Sequence, residues 1–453
     1  MFSKRLLKLK QFGGGNTSQR DARLILSIVT SVLAKFIAIG STLITIPVTL
    51  TYLGAESFGV WMVISGVVGF MGFSDLGIGM GLQNALSKAC GKDDKTSPKH
   101  YIVNAYLIVT ALATTLALVL VAIFSMLPVE GLFKISDEVL LANAVAALKY
   151  SVLAFLLGMP ITLIQRILGG LQKTYVANNV MLVGSVLSLL AILSAVYFDL
   201  GLVGLSVLFV LSPTITLLMY SLYFFYKNVE FRPKLRNLSK HYVTPIISAG
   251  AWTVFVQIIY TAKMNIPTMI ISASLGLLAV AEYSVAQKLI GLAAAMIGMA
   301  LQPLWVVYGE AYHRGDRAWV ENTLKKSIKL ILLLTVLAAV AFQFVGQPLI
   351  SLWLGGEIVP SRLLIGCFSL WMIASTVNIC FAMLLNGTGN FKNQAVFSAF
   401  FVGLALILIA VSSKDIGAEG VIFVMFFVAE LMCIPLYYFE SRRVIMRLNY
   451  EAK

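Results

Sequence analysis

The run LIVTALATTLALVLVAIFSML, Leu107–Leu127, contains no charged residue. As an α-helix at about 1.5 Å per residue it reaches the roughly 30 Å thickness of a bilayer core. A membrane-spanning strand would alternate apolar and polar positions over about ten residues, and this run does not alternate. Backbone polar groups in lipid must be satisfied internally, so a run of this kind is a helix. Similar runs recur from Leu24 to Tyr438 with short polar gaps. The whole chain is 59% hydrophobic and only 12% charged, where a soluble domain carries about 25% charged residues. The expected architecture is an all-α polytopic membrane protein with about twelve spans, near 24–50, 57–82, 101–127, 140–165, 176–198, 201–226, 245–273, 277–305, 330–346, 363–385, 393–412 and 418–439.

The charges orient it. With the N-terminus inside, the inner segments hold 27 of the 34 Lys and Arg, including Lys4, Arg5, Lys8, Lys10, Lys88, Lys92, Lys95, Lys99, Lys234 and Arg236. The outer segments hold three, Lys134, Arg362 and Lys414. That asymmetry predicts cytoplasmic termini. It also accounts for the net charge of +14 without nucleic acid, for which no binding module is visible. The first apolar run is too long for a cleaved signal peptide, so it is expected to remain as a span.

The two halves resemble each other. Leu53-Gly54 with Trp61 repeats as Leu275-Gly276 with Tyr283, 222 residues on. Leu168 and Gly170 recur as Leu385 and Gly387 at an offset of 217, and Asp199, Gly201 and Gly204 as Asp415, Gly417 and Gly420 at 216. Three matches in order at nearly one offset argue for a duplicated six-span unit. Because six is even, the repeat is parallel, about an axis along the membrane normal. The expected division is an N-terminal lobe over 1–226, a basic cytoplasmic linker over 227–244, and a C-terminal lobe over 245–453.

Enzymatic signatures are missing. Gly91-Lys92 is followed by Asp93 and lacks the rest of a phosphate loop. His100, His241 and His313 are isolated in inner loops and read as solvated. Cys90, Cys367, Cys380 and Cys433 share no ligand spacing and read as small packing residues. No cofactor or metal is expected, and transport is the leading class.

The chemistry lies in charges within the spans: Lys35, Lys149, Lys263 and Lys288, with Asp75, Glu282 and Glu430 as acids. A charge at mid-bilayer costs about 2.5–3.5 kcal/mol on insertion scales and usually faces a cavity or a partner. One reading is a cationic cavity that binds an anion; the excess of lysine over acid favours it. The other is internal pairing, for example Glu282 with Lys288 or Asp75 with a lysine, with snorkelling near span ends. At the offset of 222, Lys35 falls opposite Gln257 and Lys263 opposite Ser41, so both positions are polar in both copies. Asp75 opens Asp75-Leu76-Gly77-Ile78-Gly79-Met80-Gly81, whose glycines permit a kink or close helix contact. Asp75 and Glu282 are candidates for ion coupling; packing is the alternative for the Asp75 stretch.

Several stretches resemble the polysaccharide-transport branch of the multidrug/oligosaccharidyl-lipid/polysaccharide exporter superfamily. They are Tyr52-Leu53-Gly54 with Phe58-Gly59-Val60-Trp61, Phe73-Ser74-Asp75-Leu76-Gly77 running on to Asn84, Ile167-Leu168-Gly169-Gly170-Leu171-Gln172-Lys173, Ala281-Glu282-Tyr283 through Lys288, and Gln302-Pro303-Leu304-Trp305 with Glu310-Ala311-Tyr312. Length and span number are similar to the O-antigen flippases (Wzx-type). The resemblance implies movement of an undecaprenyl-pyrophosphate-linked glycan from the cytoplasmic to the periplasmic leaflet of a bacterial inner membrane. It also implies contact with other glycan-assembly membrane proteins. The multidrug antiporters of the superfamily share the twelve-span plan and are the alternative, although a lysine-rich interior suits their cationic drugs poorly.

Overall fold

The computed structural model describes residues 16–71, 75–91, 94, 96–126 and 135–451. The basic residues Lys4, Arg5, Lys8 and Lys10 lie outside these, as do Lys92, Lys95 and Lys134. The helices are α1 Asn16–Met71, α2 Ile78–Gly91, α3 Ser97–Met126, α4 Glu138–Gly170, α5 Thr174–Tyr197 and α6 Gly201–Lys227. They continue as α7 Val243–Leu275, α8 Leu277–His313, α9 Arg317–Trp353, α10 Arg362–Gly387 and α11 Phe391–Val424. A π turn, Met425–Leu431, then leads into α12 Cys433–Glu451. The described residues include no strand. Three short 3-10 turns, Val229–Phe231, Leu235–Asn237 and Lys240–Tyr242, make up the linker.

Nine helical segments among the described residues are long and apolar enough to cross a membrane. Two of them are double: α1 bends at Gly54 (φ 74°) and α11 at Gly417 (φ 67°), each a left-handed residue between two apolar runs. Counted as two runs each, they bring the nine segments to eleven apolar runs, and α7 occupies the place of the expected span 245–273. Local chemistry starts the helices cleanly. Ser361 Oγ accepts the Leu364 N–H at 3.1 Å to cap α10, and Asp316 Oδ1 accepts the Trp319 N–H at 3.0 Å to cap α9.

The internal repeat is visible in the backbone. Left-handed residues recur at the duplicated places: Gly54 and Gly276, Gln172 and Gly389, Gly201 and Gly417. Helix contacts recur too. A Cβ on Gly170 would meet the Gln83 carbonyl at 2.8 Å and the Leu86 Cβ at 2.6 Å. Gly387, its repeat mate, meets the carbonyl of Trp305 and the Cβ of Tyr308, which are Gln83 and Leu86 shifted by 222. Both copies thus bring two helices to the same close crossing, possible only where no side chain intervenes.

The chain divides into two compact units that do not follow its midpoint. One comprises 1–48, 73–127 and 147–253; the other comprises 49–72, 128–146 and 254–453. In the first unit, the linker is tied to α3. His100 Nδ1 lies 2.6 Å from the Asn237 carbonyl oxygen, and its ring stacks on Tyr242 with centroids 4.8 Å apart. His100 is therefore half-buried and structural, not solvated. In the second unit, α10 is the most deeply packed of the nine apolar segments. The α1 stretch 58–64 is packed on all sides as well, with Phe58, Val60, Val63 and Ile64 almost wholly covered.

One span departs from expectation. The apolar window near 57–82 is not a single helix: α1 ends at Met71 and α2 begins at Ile78, with Leu76 (φ 48°) and Gly77 (φ 76°) left-handed between them. The glycine-rich stretch breaks the helix as well as permitting close contact. Gly81 lies against the Ile246 carbonyl where any side chain would overlap it. All four cysteines are free, and all but Cys90 are buried.

Candidate functional site

The intramembrane charges take three different positions. Asp75 is tied to its own chain. Its Oδ1 accepts the Gly77 N–H at 3.0 Å and its Oδ2 accepts the Gly79 N–H at 3.1 Å, so it caps the start of α2. No lysine among the described residues pairs with it. Arg166, near the C-terminal end of α4, crosses the same turn. A Cβ on Gly79 would stand 2.7 Å from Asp75 Oδ2 and 3.0 Å from Arg166 Cγ. Arg166 is half-buried because α4 runs on through Gly170, past the apolar run.

Lys263, on α7, is held tightly. Its Nζ donates to Glu430 Oε1 at 2.6 Å, and the Tyr260 ring lies one turn back with its centroid 5.6 Å from Nζ. The lysine side chain keeps 13% of its surface exposed and the glutamate 3%. Asn378 of α10 completes the group. Its Nδ2 donates to Glu430 Oε2 at 2.7 Å and to the Glu430 backbone carbonyl at 3.0 Å. Asn378 Oδ1 is buried without a hydrogen-bond partner.

The local sequence explains the placement of Glu430. Pro435, in the first turn of α12, has no N–H for the carbonyl four residues back, and its ring crowds that carbonyl. The chain therefore leaves α geometry upstream, as the π turn ending at Leu431. Such turns free backbone acceptors and re-aim side chains. Glu430 sits in that turn, and an amide from a neighbouring helix takes up its carbonyl.

Lys288, on α8, is different again. The preceding segment is deeply packed, with Val280, Ala281, Tyr283, Val285 and Ala286 all buried. Lys288 itself is exposed, and among the described residues it makes no ion pair. The pairing of Glu282 with Lys288 is absent for a geometric reason. Six residues along a helix is a rise of about 9 Å and a turn of about 240°, which sets the two on different faces. Glu282 is half-buried, and Glu419 accepts a hydrogen bond from Ser361 Oγ at 2.6 Å. Lys263 and Lys288 lie at one level. They stand thirteen and twelve residues from Gly276 between α7 and α8, and Gln287 Nε2 donates to the Met264 carbonyl at 3.0 Å. Lys35 and Lys149 are half-buried in the first unit, each engaged with neighbours.

The sequence marks Glu430 only as an acid of the last span and gives no signal that singles out Asn378. The π turn was signalled by Pro435, but nothing local tells which helix Glu430 faces.

Long apolar helices, an internal repeat and charged groups at depth suit a membrane transporter, and comparison with known proteins agrees. The chain is similar to solved transporters of the MOP superfamily. Against the inward-facing conformation of a multidrug resistance MATE family transporter it is 17% identical, with a TM-score of 0.77 over 94% of this chain and 100% of that one. Against an outward-facing conformation of such a transporter it is 16% identical, with a TM-score of 0.64 over 94% and 96%. A superfamily transporter from Pyrococcus furiosus, described as having a binding pocket of reverse polarity that suggests a different function, is 15% identical, with a TM-score of 0.60 over 93% and 96%. The family model described as polysaccharide biosynthesis protein matches residues 25–306, and the chain belongs to that family. No curated protein matches it.

Proposed function

We propose that this transporter flips an anionic, undecaprenyl-pyrophosphate-linked oligosaccharide, an O-antigen unit, from the cytoplasmic to the periplasmic leaflet of the cell inner membrane. Both termini are then cytoplasmic. The observation that carries this reading is Lys288, an exposed residue on a membrane helix with no ion-pair partner among the described residues. An unneutralised cation at that depth is costly unless a cavity or an anion compensates it. A pyrophosphate supplies that compensation, and in a low-dielectric recess it is attracted more strongly than in water. Lysine suits a carrier that must also release, being a mobile point charge and not a rigid fork. Membership of a polysaccharide family supports a glycan cargo. The Pyrococcus furiosus neighbour, described as having a pocket of reverse polarity that suggests a different function, supports a fold that serves more than one function.

The test is deletion of the gene with analysis of lipid-linked glycan. Complete units should accumulate facing the cytoplasm. Lys288→Ala should lower surface glycan at least about tenfold, a loss of roughly 1.4 kcal/mol of effective binding, and Lys288→Arg should retain part of it. Normal export by a normally inserted Lys288→Ala protein would defeat the cationic-site mechanism. Loss of drug resistance with glycan export intact would assign the chain to the multidrug antiporters instead.

A further inference from the structure

We infer that Glu430 is a proton-binding site, and that protonating it releases Lys263 as a second cation for the anionic headgroup. The inference rests on the anion-carrying function proposed above. Its geometric basis is the orphan acceptor beside the pair. Asn378 is 7% exposed, and its amide orientation is fixed because both Nδ2 bonds go to oxygens of Glu430. Oδ1, on the same amide carbon, has no donor while Glu430 is ionised. A buried acceptor without a donor costs free energy and calls for an explanation. A protonated carboxyl supplies the missing donor. The proton goes onto Glu430 Oε1, and that O–H donates to Asn378 Oδ1 while Nδ2 continues to donate to Oε2. Acid and amide then form two parallel hydrogen bonds. The bond from Lys263 Nζ to Oε1 breaks in the same step, and the ammonium keeps its own proton and charge.

The released ammonium needs a new anion, because a buried charge left without its partner is strongly unfavourable. It is the partner better placed to find one, since its side chain is 13% exposed against 3% for Glu430. Proton binding and headgroup binding therefore promote each other, by an equal factor in both directions. The charged and titratable groups around Glu430 are Lys263 and Tyr260 on α7 and Cys433 and Tyr437 on α12; from α10 it meets Asn378, which does not titrate. Of these, Glu430 alone is a carboxylate that exchanges a salt bridge for a waiting acceptor.

The test uses the full-length protein in nanodiscs with geranylgeranyl pyrophosphate as the probe. Calorimetric titrations run in buffers of different ionisation enthalpy, at about pH 8, where the second phosphate ionisation near 6 is complete. The wild type should take up close to one proton per bound probe, and a carboxylic-acid carbonyl band should appear in the infrared difference spectrum. Glu430→Gln carries a permanent N–H toward Asn378 Oδ1 and imitates the protonated state. It should bind about tenfold more tightly, without proton uptake and without the band. Asn378→Leu removes the waiting acceptor and should abolish uptake while leaving the Lys263–Glu430 pair. Tight binding by the wild type with no proton uptake would overturn the switch but leave the proposed function standing. Failure of every variant to bind the probe would overturn the proposed function itself. If Glu430→Gln does not fold, the wild-type uptake and the Asn378→Leu result decide the matter.

Discussion

Asp75 and Glu430 are both acids within apolar segments, and the protein satisfies them by opposite means. Asp75 is bonded to N–H groups two and four residues ahead of it and closes a turn of its own chain. Glu430 is bonded to side chains 167 and 52 residues away, on two other helices. The first arrangement forms whenever α2 starts, and it moves as one piece with that helix. The second exists only when α7, α10 and the π turn are assembled, and it changes if any of them shifts. A capping acid is thus a fixture, whereas a bridging acid reports on the packing around it. Position within a span does not make an acid a coupling residue; the partners it holds decide its role.

This contrast is open to mutation, and the largest effect is expected at the bridging acid. Lys263→Ala leaves a buried carboxylate without its cation and should cost about 3–5 kcal/mol. The double variant Lys263→Met/Glu430→Leu should recover most of that loss while remaining inactive in transport. Thermal unfolding in detergent measures both, and equal instability of the single and double variants would remove the pair from the packing argument. Next in size is Gly81→Ala, whose methyl would overlap the Ile246 carbonyl. Backbone has to move, so the cost should lie at the upper end of about 1–3 kcal/mol. The same unfolding assay reads it, and wild-type stability would mean that the helix crossing yields without cost.

Asp75→Ala should cost about 1 kcal/mol, the usual worth of an N-cap, whereas Asp75→Asn should cost less because the amide oxygen still accepts the N–H groups. Export by Asp75→Asn should stay near wild type. Abolished export at normal expression would restore Asp75 as a coupling acid and erase the distinction from Glu430. The smallest effect is expected from Lys234→Ala in the linker, within about 0.5 kcal/mol and silent in export. Reporter fusions at Lys234 should also give a cytoplasmic signal, and a periplasmic one would reverse the proposed orientation.

What the sequence disclosed follows the same line between local and distant. The crossings were legible because an apolar run of membrane length has few alternatives. The repeat marked Gly54, Gly276, Gly201 and Gly417 twice, but that they are left-handed is read from the backbone. The glycines after Asp75 promised a bend, although the apolar window concealed that the bend ends the helix at Met71. The Lys263–Glu430 pair was not legible at all. The repeat sets Lys263 against Ser41, and no offset or motif links α7 with the residue before Leu431. Only the three-dimensional packing of buried polar groups, each requiring a partner, selects that pairing.

The π turn before Pro435 has a bearing on descent. A π turn accommodates one residue more than the α turn it interrupts. A relative with an unbroken last helix should therefore be one residue shorter between Gly417 and Pro435, and an alignment of the two would open a single-residue gap beside Glu430. Such a relative would aim the following positions at different neighbours, and an acid at the aligned position would have no reason to be kept. Lineages carrying the extra residue should then carry the acid, the α7 lysine and the α10 amide as a set, inherited or lost together.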